Sequence, residues 1–455
     1  MVPWGATTSG RVVLVNDLRS LGMAIRSGEL SPTEHIADVL GRLAADPYNA
    51  VVTLAGDRAL AEAAARTEEL ARGQWRGPLH GVALGVKDLF DVAGLPTRCG
   101  SNVLADAPPA VADAPSVARL RAAGAVVVAK LHTQEFAHGP TGDVAATGPA
   151  RNPHDPTRIT GGSSSGSAAA VAAGYVPLAL GSDTGASVRT PAALCGVVGL
   201  KPAFGHVDAA GVFPLAESLD HVGLLTADAH SASVAWDVLD RADGTGGGIP
   251  LPGVSGVRVG VPVDDYWQPA DPAIAEGVAA AVAALEKAGA QVVEVCTPMI
   301  DELAATYPRI VGAEAYATHA AWLAERPGDY QPLVRERLLS FADQPAKDYI
   351  DAQRTRRRLV PALRAAVGEV DVLVLPTTRL RATPIGVAEV DGVQVRPALL
   401  ALTLPFNLSG WPAVSVPAPV DAADGLPVGV QVVGVRLEER GVLRVAAAIE
   451  AAAGS

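Results

Sequence analysis

The sequence predicts an α/β fold in which helices cover both faces of a central sheet, and three observations predict it. Short apolar runs of strand length, such as 82–86 (VALGV) and 125–129 (AVVVA), alternate with helical segments. The runs are near-continuously apolar rather than alternating, as a strand buried on both faces requires. The chain is also large and apolar enough to fill such a core: 455 residues, 49% hydrophobic, 18% charged and 4% aromatic, with 47 Gly and 35 Pro scattered along it. That composition excludes a disordered, collagenous or coiled-coil protein.

Taken in order, Ser31-Pro32-Thr33-Glu34 reads as a helix start, with Ser31 as cap, Pro32 at the first helical position and Glu34 reaching back. A helix of about three turns should follow. A second helix, rich in Ala and Glu, is expected over 57–72, ahead of the strand at 82–86. Pro115 opens another helix that ends near Gly124, ahead of the strand at 125–129. Between 160 and 202 Gly, Ser and Ala dominate and charges nearly vanish, so backbones can approach closely there. Residues 246–256 (GGGIPLPGVSG) read as a loop, followed by a strand at 257–261, a helix at 272–287 and a strand at 291–295. The stretch 300–367 reads as mostly helical, and 371–375, 413–416 and 428–433 are late strands closed by a helix over 439–453.

Charge narrows the partners. With 36 basic against 48 acidic residues the net charge is −12, a field that repels nucleic-acid phosphates and anionic membranes, so a small neutral substrate is expected. Cys99, Cys195 and Cys296 are an odd number spaced far apart, and the nine histidines form no HExxH, so no disulfide framework, metal or cofactor is expected. The N-terminus has no basic stretch before an apolar core, and the longest near-apolar run, 168–181, falls short of the roughly 20 residues a bilayer span needs. A cytoplasmic protein is expected.

Three segments carry chemistry: Gly85-Val86-Lys87-Asp88, GGSSSGS at 161–167, and GSDTGASVR at 181–189. Alone, the Gly/Ser loop is an ordinary turn, lacking both the Walker and the GxGxxG spacing. Lys87 continues an apolar strand, so it must pair with a carboxylate or lose its proton, and the second outcome makes a general base. Asp88 is one available partner, although strand alternation points it to the opposite side. Asp183 and Arg189 are the only charges in a long neutral stretch and read as an ion pair that staples the loop. A stapled run of N–H groups from Thr184 through Ser187 is suited to stabilising the oxyanion of a tetrahedral intermediate. No histidine lies near these motifs in sequence; His80 and His138 read as loop or surface residues.

Together the three segments resemble the amidase signature family, serine hydrolases with a Ser-cis-Ser-Lys triad. The match runs through GGSSSGSAAAVAAGYVPLALGSDTGASVRTPAALCGVVGLKP at 161–202, with the lysine upstream on GVKD. The spacings agree: Lys87 and Ser163 are 76 positions apart, Ser163 and Ser187 24. Weaker matches in order are KLHTQEFAHGP, ARNPHDP, SLDHVG, LVLPT, FNLSGWPAVSVPA and GLPVGVQVVG, so the likeness is strong over about 75–230 and loose over the whole chain. The resemblance implies one large α/β domain with a mixed central sheet, elaborated after about residue 256. It implies Ser187 as nucleophile, Ser163 as a bridging serine beside a cis peptide, Lys87 as base, and Thr184, Gly185, Ala186 and Ser187 as oxyanion-hole donors, supported by Asp183 and Arg189. Relatives are often homodimers, so the same assembly is expected here.

Two positions depart from the common family text. Ser165 stands where glycine is usual, and Ala186 precedes the nucleophile where glycine is usual. If position 186 needs positive φ, alanine adds strain of about 1 kcal/mol or more. The segment Phe136-Ala137-His138-Gly139-Pro140-Thr141 matches the acyl-side lining of relatives, while the 407–411 loop and Tyr307, Tyr316, Trp322 and Tyr330 are expected on the outer wall or in the core. Cys99 and Cys195 are expected to pack as small hydrophobes. The function implied is hydrolysis of a small amide, extending to carbamates, anilides, hydrazides or urea-like linkages. The alternatives are the amide-hydrolysing component of a glutamine-dependent tRNA amidotransferase, and a binding module without catalysis.

Overall fold

A computed structural model describes residues 4–8, 11–15, 17–240, 251–420 and 422–453. Its centre is an 11-stranded sheet in the order Gln291–Val295, Arg258–Pro262, Val372–Pro376, Gly429–Gly434, Ala413–Pro417, Val198–Lys201, His221–Thr226, Leu178–Asp183, Ala83–Lys87, Val126–Leu131, Val51–Leu54. The sheet is mixed. Ala83–Lys87 runs parallel to both its neighbours, whereas the strands from Gly429–Gly434 to Leu178–Asp183 pair antiparallel.

The two-residue period of the strands sorts side chains into two cores. Leu84 and Val86 pack with the helices Leu18–Ser27, Pro115–Ala122 and Ala229–Asp240 on one face. Ala83 packs with Pro32–Ala44, Gly56–Ala71 and Ser165–Ala172 on the other. Lys87 shares the parity of Ala83, so it faces the side on which the Gly/Ser segment becomes a helix.

Local signals hold where they are strong. Ser31 and Glu34 form the expected capping box on Pro32–Ala44, and the helices Pro272–Lys287 and Glu439–Ala453 start and stop at the expected residues. Residues 300–367 form the helices Ile300–Ala304, Tyr307–Glu325, Pro332–Leu339 and Ala346–Val367. Of the expected loop at 246–256, residues 246–250 lie outside the described residues, and 251–256 contain no helix or strand. Among the described residues no helix is long and apolar enough to cross a membrane.

Candidate active site

Lys87 ends one strand and Asp183 ends its parallel neighbour, so both stand at the carboxyl edge of the sheet, where open α/β sheets bind ligands. Lys87 is 0% exposed, and its Nζ lies 2.7 Å from Ser163 Oγ and 2.9 Å from Ser182 Oγ. Burial pushes the amine down to about 7, against the opposing pull of Asp183 and Asp220. Asp88 is not its partner. That carboxylate sits 2.8 Å from Lys130 Nζ, on the other side of the strand end.

The Gly162–Ser163 peptide is cis. Gly162 N donates to Pro140 O at 2.7 Å and Gln134 N to Ser163 O at 3.1 Å, so the turn is clamped by the 134–140 segment. A Cβ on Gly162 would lie 2.7 Å from Gly142 N, which leaves room for glycine alone. Ser164 N donates to Ser187 O at 3.1 Å, setting the two serine loops side by side. The Ser187 hydroxyl has no protein partner among the described residues. Lys87, Ser163 and Ser187 thus share one site, with direct contact between the first two and a backbone link between the loops of the other two.

Asp183 and Arg189 form the expected staple, fully buried, with Arg189 Nη2 2.8 Å from Asp183 Oδ1 and Nε 3.0 Å from Oδ2. Burial alone would raise the Asp183 carboxyl; the Arg189 guanidinium outweighs it and holds the group well below the usual carboxylate range. Val188 N also donates to Asp183 Oδ2, at 3.0 Å. In consequence the loop between the two charges is fixed, while no hydrogen bond among the described residues takes up the N–H groups of Thr184, Gly185, Ala186 or Ser187. Four neighbouring free donors beside a serine hydroxyl can receive developing negative charge. Among described non-glycine residues, positive φ occurs at Asn49, Cys99, Phe136, Ala137 and Asp391; Ala186 is not one of them, so the anticipated strain there is absent.

Several residues enter that sequence reasoning passed over. Ser182 gives Lys87 a second hydroxyl. Asn407, expected on the outer wall, is instead inside the staple, donating to Asp183 O and Oδ1 at 2.9 Å each and accepting from Arg189 Nη2 at 2.6 Å. Trp411 is buried beside Phe406. Ser165, the first departure, donates its hydroxyl to Nδ1 of His132 at 2.7 Å, because burial keeps that imidazole neutral, down to about 4, and its Nε2–H faces Gly148 O at 2.9 Å. So a histidine does adjoin the Gly/Ser loop, although at Ser165 rather than at Ser187.

A cleft of about 360 Å³ opens onto Ser182 and Thr184 and is walled by Ala137, Phe213, Asp220 and His221, with most of the rest from 208–217. Asp220 accepts from Thr184 Oγ1 and from Leu215 N and Ala216 N at 2.9 and 3.1 Å, tying the donor loop to that wall; burial pushes its carboxyl up to about 7. From the 136–141 segment the cleft wall takes Ala137; Phe136, His138 and Gly139 are buried, and Thr141 donates to Gln134 Oε1 at 3.1 Å. His80 and His138 lie in loops but are buried, 0% and 5% exposed, rather than at the surface. Tyr307 packs its hydroxyl end on Gly185, where any Cβ would collide with it. Trp322 and Tyr330 join Phe136, Phe213 and His319 in one ring cluster, and Tyr316 is partly buried against the main core. Cys99 and Cys195 are buried as expected.

A family model described as Amidase matches residues 34–443, which span this whole site. The chain belongs to the Amidase family. Within it, the chain is 39% identical over 437 residues to AtzE, a component of the 1-carboxybiuret hydrolase of Pseudomonas sp. (strain ADP), covering 92% of this chain and 95% of that one. It is 36% identical over 458 residues to GatA-type chains, represented by that of the glutamyl-tRNA(Gln) amidotransferase of Chloroflexus aggregans, covering 93% of each. A solved amidase structure superposes with a TM-score of 0.88 at 40% identity, covering 96% of this amidase chain and 99% of that chain. The peptide amidase of Stenotrophomonas maltophilia superposes with a TM-score of 0.82 at 30% identity over 96% and 97%.

Proposed function

We propose that this amidase hydrolyses the C–N bond of a small amide or amide-like substrate through an acyl-enzyme on Ser187. The observation that supports it is Lys87: an amine 0% exposed, without a carboxylate in contact, whose nearest side-chain atom is Ser163 Oγ at 2.7 Å. Unprotonated, it takes the Ser163 proton, and Ser163 takes the Ser187 proton as Ser187 Oγ bonds to the carbonyl carbon. The N–H groups of Thr184–Ser187 receive the oxyanion. Reversing the relay protonates the departing nitrogen, and water then repeats the attack to free the acid and regenerate Ser187. Carbamates, anilides, hydrazides and urea-like linkages pass through the same tetrahedral chemistry.

Ser187→Ala tests this directly: hydrolysis of a chromogenic anilide should fall by about 10³-fold or more while circular dichroism and melting are unchanged. Undiminished turnover disposes of the assignment. The likeness to the tRNA amidotransferase chain favours a second reading, in which glutamine is the amide and partner chains are required. Offering the purified chain glutamine beside simple amides, esters and carbamates separates the two, because glutaminase activity appearing only with added partners would reverse the ranking.

A further inference from the structure

Two clefts meet at Glu217. One is the 360 Å³ cleft on Ser182 and Thr184, lined also by Asp208 and Asp220; the other, about 400 Å³, is lined by Glu217, Ser218, Glu314 and Tyr349. Among the described residues neither is lined by a lysine or an arginine. Of the cations nearby, Arg356 donates to Leu408 O at 2.6 Å and Ser218 O at 3.1 Å, Arg337 and Arg396 reach His138 O at 3.4 and 3.3 Å, Arg189 is paired with Asp183, and Lys87 stands behind the Ser163 and Ser182 hydroxyls. Glu314 already accepts from Ser218 N at 2.9 Å and Tyr349 OH at 3.0 Å, and Asp208 accepts from Ala210 N at 2.9 Å. Glu217 is exposed and has no hydrogen bond or ion pair among the described residues.

An independent feature of the same wall is His221, 4% exposed. Its Nδ1 lies 2.6 Å from Leu219 O and 3.1 Å from Asp183 O, so Nδ1 carries the proton. Nε2 is left as a buried lone pair with no partner. Such an orphan is costly unless a donor is delivered to it. Beyond the Thr184–Ser187 donors and Lys87 behind Ser182, this wall presents acceptors and negative charge.

We infer that the cleft selects substrates carrying a hydrogen-bond-donating, preferably cationic group such as a primary ammonium at the end remote from the scissile bond, and disfavours a carboxylate there. The inference rests on the acyl-enzyme reading of the same site. A cleft lined by one sign of charge concentrates the opposite sign, and a hydrogen-bond donor suits a wall that holds the unpartnered Nε2 of His221 better than an acceptor does.

The test uses the p-nitroanilides of β-alanine, butyric acid and succinic acid, alike except for an ammonium, a methyl or a carboxylate at the far end. Their binding to the full-length Ser187→Ala variant is measured by calorimetry at pH 7.5. The ammonium member should bind about 10-fold more tightly than the carboxylate member at low salt, the ratio shrinking in high salt and moving at least halfway back to unity in the Glu217→Gln, Ser187→Ala double variant. Equal affinities, a preference for the carboxylate, or binding by none of the three overturns the inference. Giving the same panel to the wild type separates the two readings. The expected order of affinities without turnover of any member would end the acyl-enzyme proposal and uphold the selectivity of the cleft.

Discussion

Lys87 and Lys130 stand near the ends of adjacent parallel strands, Ala83–Lys87 and Val126–Leu131, and both are 0% exposed, yet their surroundings differ. Lys130 lies 2.8 Å from the Asp88 carboxylate, with Thr97 Oγ1 and Pro96 O at 3.1 and 3.2 Å. Lys87 has two serine hydroxyls instead. A third buried lysine, Lys201, donates to Trp411 O at 2.7 Å and Pro202 O at 2.9 Å, and burial, with Arg189 nearby, lowers its pKa well below the ordinary value. Burial urges Lys87 and Lys201 to shed a proton; the partner decides whether the proton can go anywhere useful. The carbonyls facing Lys201 only accept, and the one hydroxyl beside Lys130, Thr97 Oγ1, already donates to Asp91 Oδ1 at 2.8 Å, whereas the serine hydroxyls beside Lys87 can both give and take, so Lys87 alone among the three is placed for a relay.

The sharpest way to break this contrast is to truncate each lysine. Lys87→Ala should lower kcat by about 10³-fold or more with little loss of stability. Lys130→Ala should instead cost about 3–5 kcal/mol in urea unfolding, by leaving Asp88 buried and unpaired, while kcat per folded molecule stays near wild type. The reverse pattern would overthrow the comparison.

Next in size is pH. With the Lys87 amine held near 7 and the rate requiring its unprotonated form, kcat/KM should fall about tenfold per pH unit below 7 and flatten above it; a flat profile through that range would count against the base. Stability should follow the same group. Between about 7 and 10.5 the unfolded chain binds the proton that the folded chain has lost, so the wild type should gain stability over Lys87→Met as pH rises through this window and lose it as pH falls through 7. The smallest effect is expected at the oxyanion loop. Since Ala186 has no left-handed φ to relieve, Ala186→Gly should leave kcat within about twofold and cost no more than about 1 kcal/mol in melting experiments; a large gain in rate would show that the alanine distorts the loop.

That Lys87 is buried is legible in its apolar strand, but Lys130 sits in an equally apolar run, and nothing local tells the two apart. The difference lies in Ser163 and Ser182, 76 and 95 positions downstream, brought in by the sheet. The helix Ser165–Ala172 shows a second limit: seven of its eight residues are buried, so it has no polar face to reveal a helical period, and the 160–202 segment yields motifs but no elements. The cleft wall at 208–217 carries no motif at all. Its place follows from Asp220 drawing in Leu215 N and Ala216 N, a tertiary fact, whereas Asp183 and Arg189, isolated charges in a neutral stretch, advertise their pairing at a separation of only 6.

The staple around Arg189 reaches far along the chain, to Asn407 and Gln431, 218 and 242 positions later, with hydrogen bonds of 2.6 and 2.7 Å. During synthesis, therefore, the loop bearing Ser187 emerges from the ribosome long before the residues that aim it. A growing chain carries the Ser187 loop before it has the side chains that complete the staple, and any cut that removes them leaves a fragment whose charged pair lacks its outer partners.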